Sequence, residues 1–566
     1  MQQDIKMAPS VVALGLDAAD PVLLEGWMDA GYLPNLSRLR RRGAYARLEA
    51  LDYCRAEASC ATLLTGCHPA KHGMWTPTRF EPGDYSVREV SYDYREYPPF
   101  YALGEDYRVA VFDMPQTVFS SRVNGVQVLG WGGHAPRTPS DSLPAGLFQE
   151  LTSRYGPHPA LNADHLPTIG DRDAVDRLKD ALLAGIERRG AICRDLLARE
   201  RWNLFLTYFG EVHSAQHLFW HISQPDHPLH AAFRCDGWNP LLDVFQAVDR
   251  EIGSLIAALP PDARVVVFSD HGMESNCTDL PSMVFLPEFL YRANFPGTRG
   301  LYGGRIGTVP GPMLIPSESV SWRSAVWAQK HDRNPITAFL RRRLPTVFFH
   351  YTIEKRLGDT RLPLCPDDCP MGSHPPMWYS PAWPRMKAFA LPTFSEGYVR
   401  INLRGREAAG IVEPSDYEWV CDDVVSMISA VTNARTGEPL VKRVVRSRRG
   451  PDDRDPRRPD PDLIVLWNSA PADVVDSPTL GRIGPLPFNR SGSHVHRGFL
   501  LAAGPSIPTG AALPHGQALD IAPTILALMG APIPSYCDGS PLLAAGSPTV
   551  ERHDRPAWTT AVSAGS

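Results

Sequence analysis

The sequence predicts an α/β fold: a mostly parallel central sheet with helices on both faces, plus an inserted cap region. Three observations carry this reading. Short apolar runs such as "VVALGLD", "LFLTYFGEVHSAQH" and "RVVVFSDHGM" have strand length, and each breaks into acidic or histidine residues at its end. Amphipathic helical segments separate these runs, the alternation expected of right-handed crossovers between parallel strands. The chain has 566 residues, 43% of them hydrophobic, which is enough for a large α/β core and a decorating region.

Along the chain, the first strand begins at Val11 and presents Asp17 at its exit. Helices follow from Pro34 and after Glu57, and "RVAVFD" (108–113) reads as a second strand. A helix over roughly 176–199 carries Leu178, Leu182, Ile186, Cys193 and Leu197 on one stripe, suited to covering a sheet. The next strand runs into Glu211, His213 and His217, and a helix over 241–259 feeds the strand that delivers Asp270 and His271. From about Pro281 to Pro392 the periodicity is lost among Trp, Pro and Arg, which reads as a cleft-covering insertion that sets substrate choice. Its Trp322 and Trp327 do not share a helical face, so core packing is preferred over stacking on a ligand. "GYVRINLRGREAAGIV" (397–412) reads as a strand and turn returning to the core, and "DLIVLW" (462–467) as a further strand. The expected organisation is 1–290 as the first part of the core, 291–390 as the cap, 391–545 as the second part of the core, and 546–566 as a flexible tail.

Composition narrows the function. Net charge is −5 and no long basic run occurs, which argues against duplex nucleic acid as a partner. No run of about eighteen apolar residues is present, so no membrane span is expected. The N-terminal "MQQDIKMAPS" lacks the apolar segment of a secretory signal, and the ten cysteines are scattered. Only Cys365 and Cys369 are close together. Mostly reduced thiols and a cytoplasmic location are the expectation.

Asp17, Glu211, His213, His217, Asp270, His271, His494 and His496 place eight ligand-type groups in four clusters far apart in sequence. A two-metal site needs roughly six to eight carboxylates and imidazoles converging in one cleft. Strand ends at the carboxyl edge of an open α/β sheet are where such groups meet. Taken singly, each of these residues reads as well as a cap, turn or core residue; together they read as a metal site. His494 and His496, two apart beside a strand, point to opposite faces and are not expected to ligate together. His221, His227 and His230 read as loop or supporting residues. His68 and His72 carry the same default, and His134 in "GWGGHAP" is the histidine kept as a substrate-contact candidate.

The order of motifs resembles the alkaline phosphatase superfamily, most closely its type I phosphodiesterase/nucleotide pyrophosphatase branch. After Asp17 come "GYLPNLSRLRRRGA" (31–44), "TGCHPAKHGMW" (65–75), "SDHGM" (269–273), "GSHVHRG" (492–498) and "ALDIAPTILALMGAPIP" (518–534). The resemblance implies an alkaline phosphatase-like fold and two divalent cations, zinc first, with manganese or iron compatible with the ligand set. It implies one cation on Asp17, Asp270 and His271, and the other on His213, His217 and His494. Here His213 stands where the family has an aspartate, which softens the ligand set and raises the site's charge by one. Glu211 is the candidate to supply the missing anion.

A second departure concerns the nucleophile. The family's threonine or serine falls ten residues before Gly66, and that position is Ala56. Either a neighbour among Cys54, Glu57, Ser59 and Thr62 acts, or the covalent step is absent and activated water attacks directly. Glu57 is placed at the metals, because a carboxylate at a helix start beside two cations is electrostatically favoured. Arg55 can pair with an anionic substrate oxygen through its planar fork.

The expected function is a two-metal hydrolase of phosphate mono- or diesters or nucleotide-type pyrophosphates, acting on a small anionic substrate. The alternative is a specialised member that lacks the nucleophile and acts on a non-phosphate group or performs transfer, or a module that keeps the metals without turnover.

Overall fold

The computed structural model describes residues 10–543 except 52, 54–58, 133–137, 162–168, 316–321, 333, 342, 345–370 and 372–373. A ten-stranded sheet organises the molecule. Its strands run in the order Ala511–Ala512, Ala44–Glu49, Arg497–Ala503, Arg264–Ser269, Val11–Leu16, Leu204–Phe209, Gly104–Phe112, Val123–Leu129 and Asp141–Leu143, with Gly516–Gln517 beside Ala44–Glu49. The five strands from Arg264–Ser269 to Val123–Leu129 are all parallel. Arg497–Ala503 is antiparallel to both neighbours, and so is the edge strand Asp141–Leu143 to its neighbour. The predicted class is therefore correct: a mixed, mostly parallel central sheet with helices.

Both faces are covered, as the unbroken apolar run "VVALGL" requires of a central parallel strand. Val12, Leu14 and Leu16 enter one core cluster together with the helices Pro34–Arg42, Arg172–Arg199 and Pro240–Ala257. Val11 and Ala13 enter a second cluster with the helices Ser59–Thr65 and Ile521–Met529. The two-residue period of a strand thus distributes one segment between two cores.

The long covering helix starts at Arg172, four residues before the predicted position, because the Asp171 carboxylate caps it by accepting from Asp173 N at 2.8 Å. Its stripe also ends differently. Leu178, Leu182, Ile186 and Cys193 are buried as predicted, but Leu196 is buried where Leu197 was expected, and Leu197 is half-buried. After Cys193 the stripe advances by three residues, not four, which a 3.6-residue period allows.

Past residue 387 the chain builds a further antiparallel sheet, whose buried side chains join the same core cluster as the covering helices. Ala388–Leu391, Gly397–Ile401, Leu463–Trp467 and Val441–Arg446 form it in that order. Within the described part of the presumed cap, Trp322 and Trp327 are buried. Trp322 donates to Pro487 O at 2.8 Å, and Trp327 meets Trp378 edge-on at 5.0 Å, so packing is their use. Cys365 and Cys369 lie outside the described residues, while the seven described cysteines are free. Among the described residues no helix is long and apolar enough to cross a membrane.

The revised stripe makes a distinction that chemical denaturation can read. Leu182→Ala should lower unfolding stability by about 2–5 kcal/mol, whereas Leu197→Ala should lower it by about 1 kcal/mol or less. Equal losses would contradict the register described here.

Candidate metal centre

Register delivers the site. Leu16 lies level with Phe209 on one side of the first strand, and Gly15 with Phe268 on the other. The next residues of all three strands therefore leave the sheet at the same carboxyl edge: Asp17, the Gly210–Glu211 start of a helix, and Asp270. The helix Glu211–Ser223 is buried along most of its length and carries His213 and His217 one turn apart. His494 arrives from a fourth direction. It sits in the strand Gly492–Val495, which pairs antiparallel with Gly272–Ser275 and sets His494 opposite Met273.

Two clips hold these pieces together. Gln216, on the histidine helix, donates from Nε2 to Ala18 O at 2.8 Å and accepts from Asp20 N at 3.3 Å. The loop carrying Asp17 is thus tied to the helix carrying His213 and His217. Asp20 also caps the next helix and accepts from Arg497 Nε at 2.5 Å, which ties the same loop to the segment just after His494. Burial raises the Asp20 carboxyl above its usual range against the opposing pull of Arg497. Gly492 permits this closeness, because a Cβ there would lie 2.5 Å from Gln216 O.

His213, His217 and His494 each place a ring nitrogen within 4.8 Å of the other two, and all three are buried. The Nε2 atoms of His213 and His217 face one another at 3.2 Å. Nδ1 of His217 lies 2.8 Å from Gly492 O, so that nitrogen is the donor and Nε2 carries the lone pair. Burial, and then the charges of His217, His271, His213 and Arg490, hold His494 well below the usual imidazole range, in the neutral form a metal requires.

On the other side of His494, the His271 ring lies 4.8 Å from the His494 ring. His271 Nε2 is 3.9 Å from Asp17 Oδ1, and its Nδ1 is 3.2 Å from Asp270 Oδ1. Burial lowers His271, but Asp270 and Asp17 outweigh it and raise its pKa. Tyr208 donates to Asp270 Oδ1 at 2.8 Å. It lies flat on Gly15, where a Cβ would stand 2.0 Å from its ring. Two buried carboxylates and four imidazoles thus share one pocket, an N/O donor set that fits a pair of divalent cations. Among the described residues, only the three histidines bring ligand atoms all within 4.8 Å of one another, while His271 meets Asp17 and Asp270 separately.

The structure does not bring Glu211 to this cluster. Two residues before His213, it points to another side of the helix, where Arg189 Nε donates to its Oε1 and Oε2 at 2.9 and 3.1 Å. His158 Nε2 lies 3.0 Å from Oε1, and Arg189 Nη2 donates to Asp113 at 2.7 Å. Burial pushes the Glu211 carboxyl up, but Arg189 and His158 outweigh it and hold it at about 2. Glu211 is therefore a buried anchor for the start of the histidine helix, and its carboxylate is committed to Arg189 and His158, away from the histidine cluster. Arg55, Ala56, Glu57 and His134 lie outside the described residues. His68 and His72 take structural roles, each Nδ1 accepting from a backbone N–H two residues on. His496 lies just past the strand that holds His494 and is not one of the three.

Several site residues escaped the sequence reading. Arg189 is a charged residue on an apolar stripe between Ile186 and Cys193, a signal that was present. Gln216, Asp279 and Arg490 have no such signature. Arg490 Nη1 lies 3.0 Å from His217 Nε2, while its Nε and Nη2 donate to Asp279 at 3.0 and 3.1 Å.

Fold and site define a three-layer α/β protein with a buried histidine–carboxylate centre at the carboxyl edge of its sheet. A model of the family type I phosphodiesterase/nucleotide pyrophosphatase matches residues 11–343, more than half of the chain, and the chain belongs to that family, as its motif order implied. Crystal structures of phosphonoacetate hydrolase from Sinorhizobium meliloti 1021, with phosphonoformate and with phosphonoacetate, are similar at 14% and 15% identity. Each has a TM-score of 0.41 and covers 92% of this chain and 96% of that one. No curated protein matches.

The anchor makes a pH-dependent prediction. Glu211→Gln leaves Arg189 short of a buried partner and should cost about 3–5 kcal/mol at neutral pH. The folded-state pKa is depressed, so the wild-type advantage is full above the ordinary value of 4.5 and fades as pH falls toward about 2. Thermal melts of both proteins at descending pH should converge; a constant gap would contradict the assignment.

Proposed function

We propose that this chain is a two-metal hydrolase of small anionic phosphoesters: phosphate mono- or diesters or nucleotide-type pyrophosphates. One observation carries the reading. His213, His217 and His494 bring ligand atoms within 4.8 Å of one another, beside Asp17, Asp270 and His271, and these six residues come from four separate segments. Zinc is the first candidate for both cations, since imidazole and carboxylate ligands suit it; manganese and iron accept the same set.

When bound, the cations polarise the phosphoryl oxygens and lower the pKa of water at the site. The chain's own residues prepare that chemistry. His217 is oriented by its Nδ1 contact with Gly492 O, so its ring cannot turn away. Burial, followed by Asp270 and Asp17, holds Tyr208 protonated well above its usual range, so it remains a donor that fixes the Asp270 carboxylate. Asp17, Asp270 and the four histidines are buried, which strengthens the charge interactions among them. Arg55 and Glu57, next to Ala56 in sequence, are proposed as the substrate-contacting cation and the general base that replaces the absent hydroxyl nucleophile. His134 is proposed as a substrate contact.

Metal-loaded protein should hydrolyse p-nitrophenyl phosphate, bis-p-nitrophenyl phosphate or both. Asp270→Asn and His494→Ala should each lower kcat/KM roughly 10³-fold, the scale of losing metal-borne charge stabilisation. Glu57→Gln should lower kcat with KM little changed. A second reading is motivated by Ala56 and by His213 in place of a carboxylate: action on a non-phosphate group, transfer, or metal binding without turnover. Stoichiometric metal with no hydrolysis of either ester would favour that reading over the first.

A further inference from the structure

Arg490 meets the metal centre in a way the family resemblance does not explain. Two of its nitrogens, Nε and Nη2, grip the buried Asp279 carboxylate in a fork, and its guanidinium lies 4.8 Å over the Phe394 ring. The side chain is 13% exposed and so is held on two sides. The third nitrogen, Nη1, lies 3.0 Å from Nε2 of His217. Because His217 Nδ1 faces the Gly492 carbonyl, this contact can only be Nη1–H donating to the Nε2 lone pair.

That lone pair is the one a cation would use, and it cannot serve both. A cation on that lone pair would displace Nη1, while the fork on Asp279 and the Phe394 ring would keep the guanidinium at the edge of the pocket, within reach of a substrate oxygen. The three ligands on this side are neutral imidazoles, so the half-site keeps more positive charge than one containing a carboxylate. A phosphodiester has two non-bridging oxygens; a monoester has a third, and carries the second negative charge. We propose that Arg490 receives this third oxygen, making it a specificity-determining substrate contact that favours terminal, dianionic phosphoryl groups over diesters. This rests on the hydrolase reading above and deepens it.

The test uses the full-length, metal-loaded protein and inorganic phosphate, titrated calorimetrically. Arg490→Met should retain its metal content but bind phosphate roughly tenfold to a hundredfold more weakly, the range for one charge-assisted hydrogen bond. Arg490→Lys, which keeps the charge without the fork, should fall between the two. In turnover, Arg490→Met should lose monoester kcat/KM by a larger factor than diester kcat/KM. Phosphate affinity within twofold of wild type would overturn the proposal. Loss of metal from both variants would overturn it too, because Arg490 would then serve only to support His217. Phosphate binding is read without turnover, so a wild-type protein that hydrolyses nothing would remove the hydrolase reading while the titration still decides the role of Arg490.

Discussion

Everything in the site depends on the level ends of three adjacent parallel strands. Val11–Leu16 is paired with Leu204–Phe209 and Arg264–Ser269 so that Asp17, the histidine helix and Asp270 emerge together. A shift of two residues in either pairing would move a ligand by almost 7 Å along the strand, well beyond the tolerance of a coordination shell. The hydrogen-bond ladder of the sheet is in this sense the instrument that measures out the site. Gln216 and Asp20 then transfer that precision from the strands to the loop and to the His494 segment.

Electrostatics sets the second constraint. Buried imidazoles and carboxylates crowded without a cation are costly, and their environments already sort them: His494 is driven toward neutrality while His271 is drawn toward the charged form by Asp270 and Asp17. Of the nearby ion pairs, the one with Asp279 takes part in this balance, since the Arg490 charge helps to lower His494. Arg189 bridges Glu211 and Asp113 in a buried network beneath the histidine helix, and Asp279 pairs with Arg490 at its edge.

Much of this was legible in the residues. Strand-length apolar runs ending in Asp17, Glu211 and Asp270 announced both the parallel sheet and its functional edge, since a central strand must be apolar on both faces and its exit is where polarity returns. The pairing of His213 with His217 followed from helical spacing. What was misplaced has identifiable causes. Glu211 was the candidate to supply the anion missing at His213, but two residues along a helix is about 200° of rotation, and buried Arg189 holds its carboxylate on that side. Leu197 lost its place to Leu196 because a stripe can advance by three or four. Arg490 and Asp279 were invisible, since their meeting at His217 is created only by the tertiary fold. The separate sheet around Gly397–Ile401 and Leu463–Trp467 was likewise hidden, because pairing partners more than sixty residues apart leave no local pattern.

The central claim is that one pocket gathers these dispersed side chains around cations. Crystals of the zinc-loaded protein measured at the zinc edge test it most directly. The account predicts an anomalous peak roughly 2.0–2.1 Å from a nitrogen of each of His213, His217 and His494, with a second peak at Asp17, Asp270 and His271. Zinc held elsewhere on the chain, with these six side chains uncoordinated, would contradict it.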